Sequence, residues 1–208
     1  MCTFGIACNF AFDFPDIVAE SSRLIGMSGM VKLLGVLICS RSGSMYYDDI
    51  RPLPNTPATQ TIRRYNDNRL GAVYSSLYGF WTSRQAALSA VGQNAAIARR
   101  DAYSVILFNH SPNTCISNDF VSSADVLLNT VAPWVADGGT NYTEALTSAQ
   151  SLMVQHWSNE RYVTPAGRQN RSRLTFLRAP VLIFLSDGEC YVSDAAVRSI
   201  CRAAIDLG

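Results

Sequence analysis

The chain has almost no excess of charge of either sign and very little histidine, and each shortage closes off a class of function. Seventeen basic residues against sixteen acidic ones leave a formal charge of +1 over 208 residues, so no global field draws it to nucleic acid or to an anionic membrane. The six cysteines (Cys2, Cys8, Cys39, Cys115, Cys190, Cys201) include no Cys-x-x-Cys pair and have only His110 and His156 beside them, which argues against zinc. Cys39 closes an apolar run and Cys201 falls on the apolar face of a helical pattern, so they read as buried free thiols in a reducing compartment. The longest candidate span, Leu24 to Cys39, is broken by Lys32 and falls short of a bilayer. Met1-Cys2-Thr3-Phe4 lacks the basic start of a secretory signal. These shortages predict a soluble, intracellular protein without nucleic-acid or membrane partners. Also missing are the Gly-x-Ser-x-Gly nucleophile elbow, the phosphate-binding Gly-x-x-x-x-Gly-Lys loop and the dinucleotide Gly-x-Gly-x-x-Gly turn.

What is present suffices for one domain. A hydrophobic content of 48% over this length supports one well-buried core. Residues 1–30 show neither helical period nor strand alternation. The apolar runs Val31–Cys39, Ala102–Phe108 and Ala179–Leu185 read as buried strands, and Thr114–Phe120 as a more polar one. Leu70, Val73, Tyr74, Leu77, Tyr78 and Trp81 repeat at helical spacing, an aromatic stripe that suits core packing. Ser123–Val131 reads as a short helix. Asn141 followed by Glu144 forms an N-terminal capping pattern for a helix with Ala145, Leu146, Ala149, Leu152, Met153 and Trp157 on its apolar face. Ser193 is placed to cap a last helix that buries Val197, Ile200, Cys201 and Ala204. Residues 46–68, with Pro52, Pro54 and Pro57, read as a long exposed loop. Strands alternating with helices predict an α/β, Rossmann-like, doubly wound and mostly parallel sheet with helices on both faces, whose ligands bind outside the carboxyl ends of the strands.

Three segments fall at that edge: Ser40-Arg41-Ser42-Gly43-Ser44-Met45, Gly138-Gly139-Thr140-Asn141 and Leu185-Ser186-Asp187-Gly188-Glu189. Short hydroxyl and carboxylate side chains there are the hard oxygen donors that Mg²⁺ takes. Ser, Gly and Asp are also ordinary turn formers; it is their order, each beside a strand or helix, that carries weight.

In order and spacing the three segments resemble the metal-ion-dependent adhesion site of the von Willebrand factor A domain, and the chain resembles a fungal-type intracellular member over residues 31–208. In that family the first segment reads Asp-x-Ser-x-Ser, the second supplies a Thr and the third an Asp. The resemblance implies a protein-binding, adhesion-type module, not an enzyme, with Ser42, Ser44, Thr140 and Asp187 holding Mg²⁺ and an acidic side chain of another protein completing the coordination. Ser40 stands where the family has the leading Asp, and the expected metal site is intact or degenerate accordingly. Ser40→Asp is expected to strengthen Mg²⁺ binding by about tenfold or more, as charges around a metal's ligands do. Asp137 and Glu189 are nearby in sequence. The family's domain continues with further strands, so the strand carrying Asp187 is expected at a sheet edge, where an uncovered strand invites pairing. Two other readings stand beside this one, a hydrolase using the Ser42 region with His110 or His156, and a metal-free scaffold.

The segment 162–178 is anomalous. It carries Arg168, Arg171, Arg173 and Arg178 and no acid, between a helix and a strand that such folds join by a short loop. It reads as a basic insert. Its codons admit a splice donor at Arg161-Tyr162-Val163, a branch point at Leu174-Thr175 and an acceptor at Leu177-Arg178, which predicts a translated intron. Cys39-Ser40 admits an acceptor too, so that residues 1–40 would be displaced from a true upstream exon and Ser40 would replace a spliced Asp.

Overall fold

The computed structural model describes residues 33–90, 101–159, 179–188 and 193–207. The segments 1–30 and 162–178, with the intron expectation attached to the second and most of the stretch to which the upstream-exon expectation belongs, lie outside the described residues, as does Glu189.

Strand β1 (Leu33–Ser40) lies between β2 (Ala102–Phe108) and β4 (Ala179–Leu185), parallel to both, and β3 (Pro112–Asp119) pairs antiparallel with β2. The order β3-β2-β1-β4 is that of a doubly wound sheet with one reversed strand. β4 is an edge strand among the described residues.

The continuous apolar run of β1 is explained by burial on two faces. Leu37 and Cys39 join one core and Val36 and Ile38 the other, all 3% exposed or less. On the first face lie α1 (Thr59–Arg63), α2 (Arg69–Ala90) and α3 (Ala124–Val131). Leu70, Val73, Tyr74, Leu77 and Trp81 of α2 pack on Val105 and Leu107 of β2, so the aromatic stripe is core. On the second face lie α4 (Tyr142–Asn159) and α5 (Asp194–Leu207), with Ala145, Leu146, Ala149, Leu152, Met153 and Ile200 against Ile106, Phe108 and Phe184. Helices thus cover both faces.

Local chemistry sets the helix starts. Ser123 accepts the Val126 N–H at the start of α3, and Asn141 Oδ1 accepts the Glu144 N–H at 3.2 Å. Asn118, at a φ of 47° beside the register shifts between β2 and β3, donates its N–H to Ser104 Oγ at 2.9 Å. The Asn118 N–H that the irregular pairing leaves over is thereby satisfied.

The expectation of a long exposed loop over 46–68 is corrected. Thr59–Arg63 is helical, and Pro52, Ala58 and Ile62 are buried. The three prolines all precede this helix, and Thr59 Oγ1 ties it back to the loop by donating to Leu53 O at 2.8 Å. Leu53 donates its N–H to the buried Ser75 of α2 at 3.2 Å. The stretch is a cover over α2. Its signal was hidden because two buried apolar residues four apart make no legible period.

Candidate functional site

The loop after β1 leads to helices on one face and the loop after β4 leads to α5 on the other. Between such diverging loops an α/β sheet opens a crevice at the carboxyl ends of its strands. Ser40 is the last residue of β1, and Ser42 precedes a 3₁₀ turn, Gly43–Tyr46, closed by the Met45 N–H to Ser42 O at 2.9 Å. The end of β1 and this turn bring three hydroxyls into one hydrogen-bonded chain. Ser40 Oγ lies 3.0 Å from Ser42 Oγ, Ser42 Oγ lies 3.0 Å from Ser44 Oγ, and Ser44 donates to Asp187 Oδ1 at 3.0 Å.

Asp187 is held from its own loop. Tyr142, the first residue of α4, hydrogen-bonds through its hydroxyl to Ser186 Oγ and Gly188 O, the residues on either side of Asp187. Its ring sits edge-on to Phe108 and Phe184, with centroids at 5.7 and 5.1 Å. The loop bearing Thr140 is pinned on both flanks. Gly138, at a φ of 74°, accepts the Gly43 N–H at 2.9 Å, and Asn141 donates its N–H to Asn109 O at 2.8 Å. A left-handed φ is where glycine is favoured. Ser40, Ser42, Ser44 and Asp187 therefore share one hydrogen-bonded path, and Thr140 lies on the adjoining loop. Asp137 joins through its backbone, its N–H donating to Arg41 O at 2.7 Å.

The residue that the sequence reading missed is Arg69. From the first position of α2 its Nη1 donates to Asp187 Oδ2 at 2.8 Å, while Nε and Nη2 donate to the two oxygens of Asp49 at 2.7 and 2.6 Å. The guanidinium lies over the Tyr47 ring, 5.2 Å from its centroid, and the Arg69 N–H donates to Tyr47 O at 3.0 Å. The Asp187 side chain is 1% exposed, that of Arg69 23% and that of Asp49 54%. The bonds to Asp49, and after them those to Asp187, hold the guanidinium even more firmly protonated than an ordinary arginine. In return the Arg69 hydrogen bond lowers the Asp49 carboxyl below its usual range. The path is thus a hydroxyl ladder ending in a buried carboxylate, a guanidinium and an exposed carboxylate. A helical-period reading could not single out Arg69, because it stands just before the apolar stripe it introduces.

Oxygen donors of the right kind for a small divalent cation are present, but the charge is not. Ser40 brings none, and both oxygens of Asp187 are committed, one to Ser44 and one to Arg69. Among the described residues no three His, Cys, Asp or Glu side chains gather around one point. A dication placed here would meet a guanidinium a few ångströms away; two like unit charges at about 4 Å repel by about 4 kcal/mol near a protein surface, and a dication doubles this. As arranged, these residues do not fit the metal.

Of the two histidines that the hydrolase reading would use, His110 packs against the site's own loop, its Nδ1 3.0 Å from where a Cβ on Gly138 would stand, and no hydrogen bond joins it to Ser42 among the described residues. Ser42 shares its hydrogen bonds with Ser40 and Ser44, while His156 Nε2 pairs with Ser117 Oγ at 3.0 Å on β3, far along the chain from the crevice. Burial lowers the His156 pKa.

No family model matches the chain, and no curated protein does. Among solved structures, two crystal structures of proximal thread matrix protein 1 from the mussel byssus are similar in outline. One is 10% identical with a TM-score of 0.45, covering 85% of this chain and 37% of that one. The other, described as having a zinc-occupied metal-ion-dependent adhesion site, is 12% identical with a TM-score of 0.47, covering 84% and 36%. The chain thus spans little more than a third of that protein's length. An uncharacterized membrane-spanning protein from Vibrio fischeri is 14% identical with a TM-score of 0.39, covering 83% and 96%. Likeness at this level assigns no residue a role; the doubly wound α/β class rests on this chain's own strand order. No helix among the described residues is long and apolar enough to cross a membrane.

Proposed function

We propose that the chain is a non-catalytic protein-binding module of the von Willebrand factor A type, and that its crevice receives an acidic side chain of a partner protein. The observation that carries this reading is the hydrogen-bonded path from Ser40 through Ser42 and Ser44 to Asp187, whose far oxygen holds one cationic group, Arg69, at the carboxyl ends of β1 and β4. A part-exposed cation at the carboxyl ends of the strands is a group an acidic side chain seeks. Mg²⁺ on Ser42, Ser44, Thr140 and Asp187, with Ser40 in the leading place, belongs to this reading only for a site from which Arg69 has withdrawn. Cys39, Cys115 and Cys201, which form no disulfide among the described residues, suit an intracellular location.

The test is affinity capture with the wild type and with Arg69→Glu, in chelator. Proteins retained by the wild type and lost on charge reversal support the module; identical recovery overturns it. For the enzyme alternative, hydrolysis of ester or amide substrates that Ser42→Ala abolishes would replace this reading with a hydrolase.

A further inference from the structure

The arrangement around Arg69 goes further than a site that has lost its metal. A dication balanced by two carboxylates is neutral, and so is a guanidinium balanced by one. With Ser40 in place of an aspartate, the single carboxylate Asp187 is matched in charge by the single cation bonded to it at 2.8 Å. Arg69 is also held as a bound ion would be. Asp187 anchors it from behind, the Tyr47 ring lies against its face at 5.2 Å, and its own N–H is tied to Tyr47 O. What remains of the guanidinium is the edge carrying Nε and Nη2, the fork that takes both oxygens of a carboxylate. That edge is filled by Asp49, from the exposed turn that follows the serine motif.

Resting on the binding-module reading, we infer that the crevice is a metal-independent carboxylate receptor: Arg69 is its built-in cation, and Asp49 is a tethered carboxylate that occupies it until an acidic side chain of the partner takes its place. The half-exposed Asp49 can leave without unfolding anything. The buried Asp187 stays, so the guanidinium keeps its position when the outer carboxylate is exchanged. A partner's Glu or Asp would reproduce the same two N–H···O bonds, and Asp49 sets a threshold that a solitary carboxylate must overcome. Ser40→Asp alone leaves the cation's place filled and therefore does not bring in Mg²⁺.

Two measurements on the full chain test this. In the first, Arg69 Nε–H is followed by NMR in chelator while N-acetyl-glutamate amide is added, with N-acetyl-glutamine amide as neutral control. In Asp49→Asn the resonance is expected to shift with the acidic probe alone, and at a concentration at least fivefold lower than in the wild type. No response in a folded Asp49→Asn, an equal response to the neutral probe, or equal responses of variant and wild type would overturn the inference. The second is calorimetric titration with MgCl₂. The wild type and Ser40→Asp are expected to show no binding in the millimolar range, and Ser40→Asp/Arg69→Gln to gain it by at least tenfold. Mg²⁺ binding by the wild type as tight as by the double variant, or no gain in a double variant whose circular dichroism is native, shows that Arg69 does not hold the cation's place. Either outcome overturns this inference while the binding-module reading stands, because that reading has its own tests, capture by Arg69→Glu and hydrolysis lost in Ser42→Ala.

Discussion

At the scale of single residues, the most costly group to strand is one the site does not use. Arg84 of α2 and Asp101 at the entry to β2 are buried together, with Nε to Oδ2 at 2.8 Å and Nη2 to Oδ1 at 3.2 Å. Tyr103 donates its hydroxyl to the same carboxylate at 2.9 Å, and burial, followed by the nearby Asp101 charge, pushes the Tyr103 pKa well up. Breaking a buried pair leaves an uncompensated charge, which costs about 3–5 kcal/mol. Asp101→Ala is expected to destabilise by that amount in urea unfolding, and a change under about 1 kcal/mol would mean that solvent reaches the arginine. Tyr142 makes a smaller but more local contribution. Tyr142→Phe keeps the ring stack on Phe108 and Phe184 and removes the hydroxyl that ties Ser186 and Gly188. A loss of about 0.5–1.5 kcal/mol follows for such part-buried hydrogen bonds, together with faster amide exchange over residues 186–188. Unchanged exchange there would remove Tyr142 from the groups that position Asp187.

At the scale of elements, the start of α2 is fitted to its cover. A Cβ added at Gly71 would stand 1.9 Å from Asn66 O and 2.8 Å from Pro52 Cγ, and the first of these is backbone that cannot swing aside. Asn66 is itself fixed, donating from Nδ2 to Ala132 O at 2.9 Å and to Trp134 O at 3.1 Å. Gly71→Ala, which would favour an isolated helix by about 1 kcal/mol, is expected here to destabilise by about 1–3 kcal/mol or more, as overpacking does. A raised melting temperature would show that the cover over residues 52–66 is not seated on the helix. Because Arg69 lies two residues before Gly71, the same variant is expected to disturb the Arg69–Asp187 bond.

At the scale of the whole molecule, the described elements close their two cores without residues 162–178. Helix α4 ends at Asn159 and β4 begins at Ala179; with 162–178 removed, Glu160 and Arg161 remain as a connection of the length usual between a helix and the next strand. The variant lacking 162–178 is expected to keep the native circular dichroism and to melt within a few degrees of the full chain. Loss of cooperative unfolding would make the segment part of the fold, and transcripts that almost all retain it would refute the intron proposal.

Several features were legible because they are local. A strand buried on both faces has to be apolar throughout, so β1, β2 and β4 could be read from composition alone, and the side-chain period of α2 and the capping residues Ser123 and Asn141 report only on their own few neighbours. The short helix α1 was not legible, since Ala58 and Ile62 are too few to show a period. The serine motif and Asp187 could be picked out as chemistry, and strand alternation placed them at one end of a sheet. What the tertiary structure alone decided is which charges meet. Arg69 is 118 residues from Asp187 and 20 from Asp49, and in sequence it is one arginine among many. A charge is written in the chain, but its counter-charge is chosen by which loops the sheet order brings together, and here that choice set the Arg69 guanidinium against Asp187.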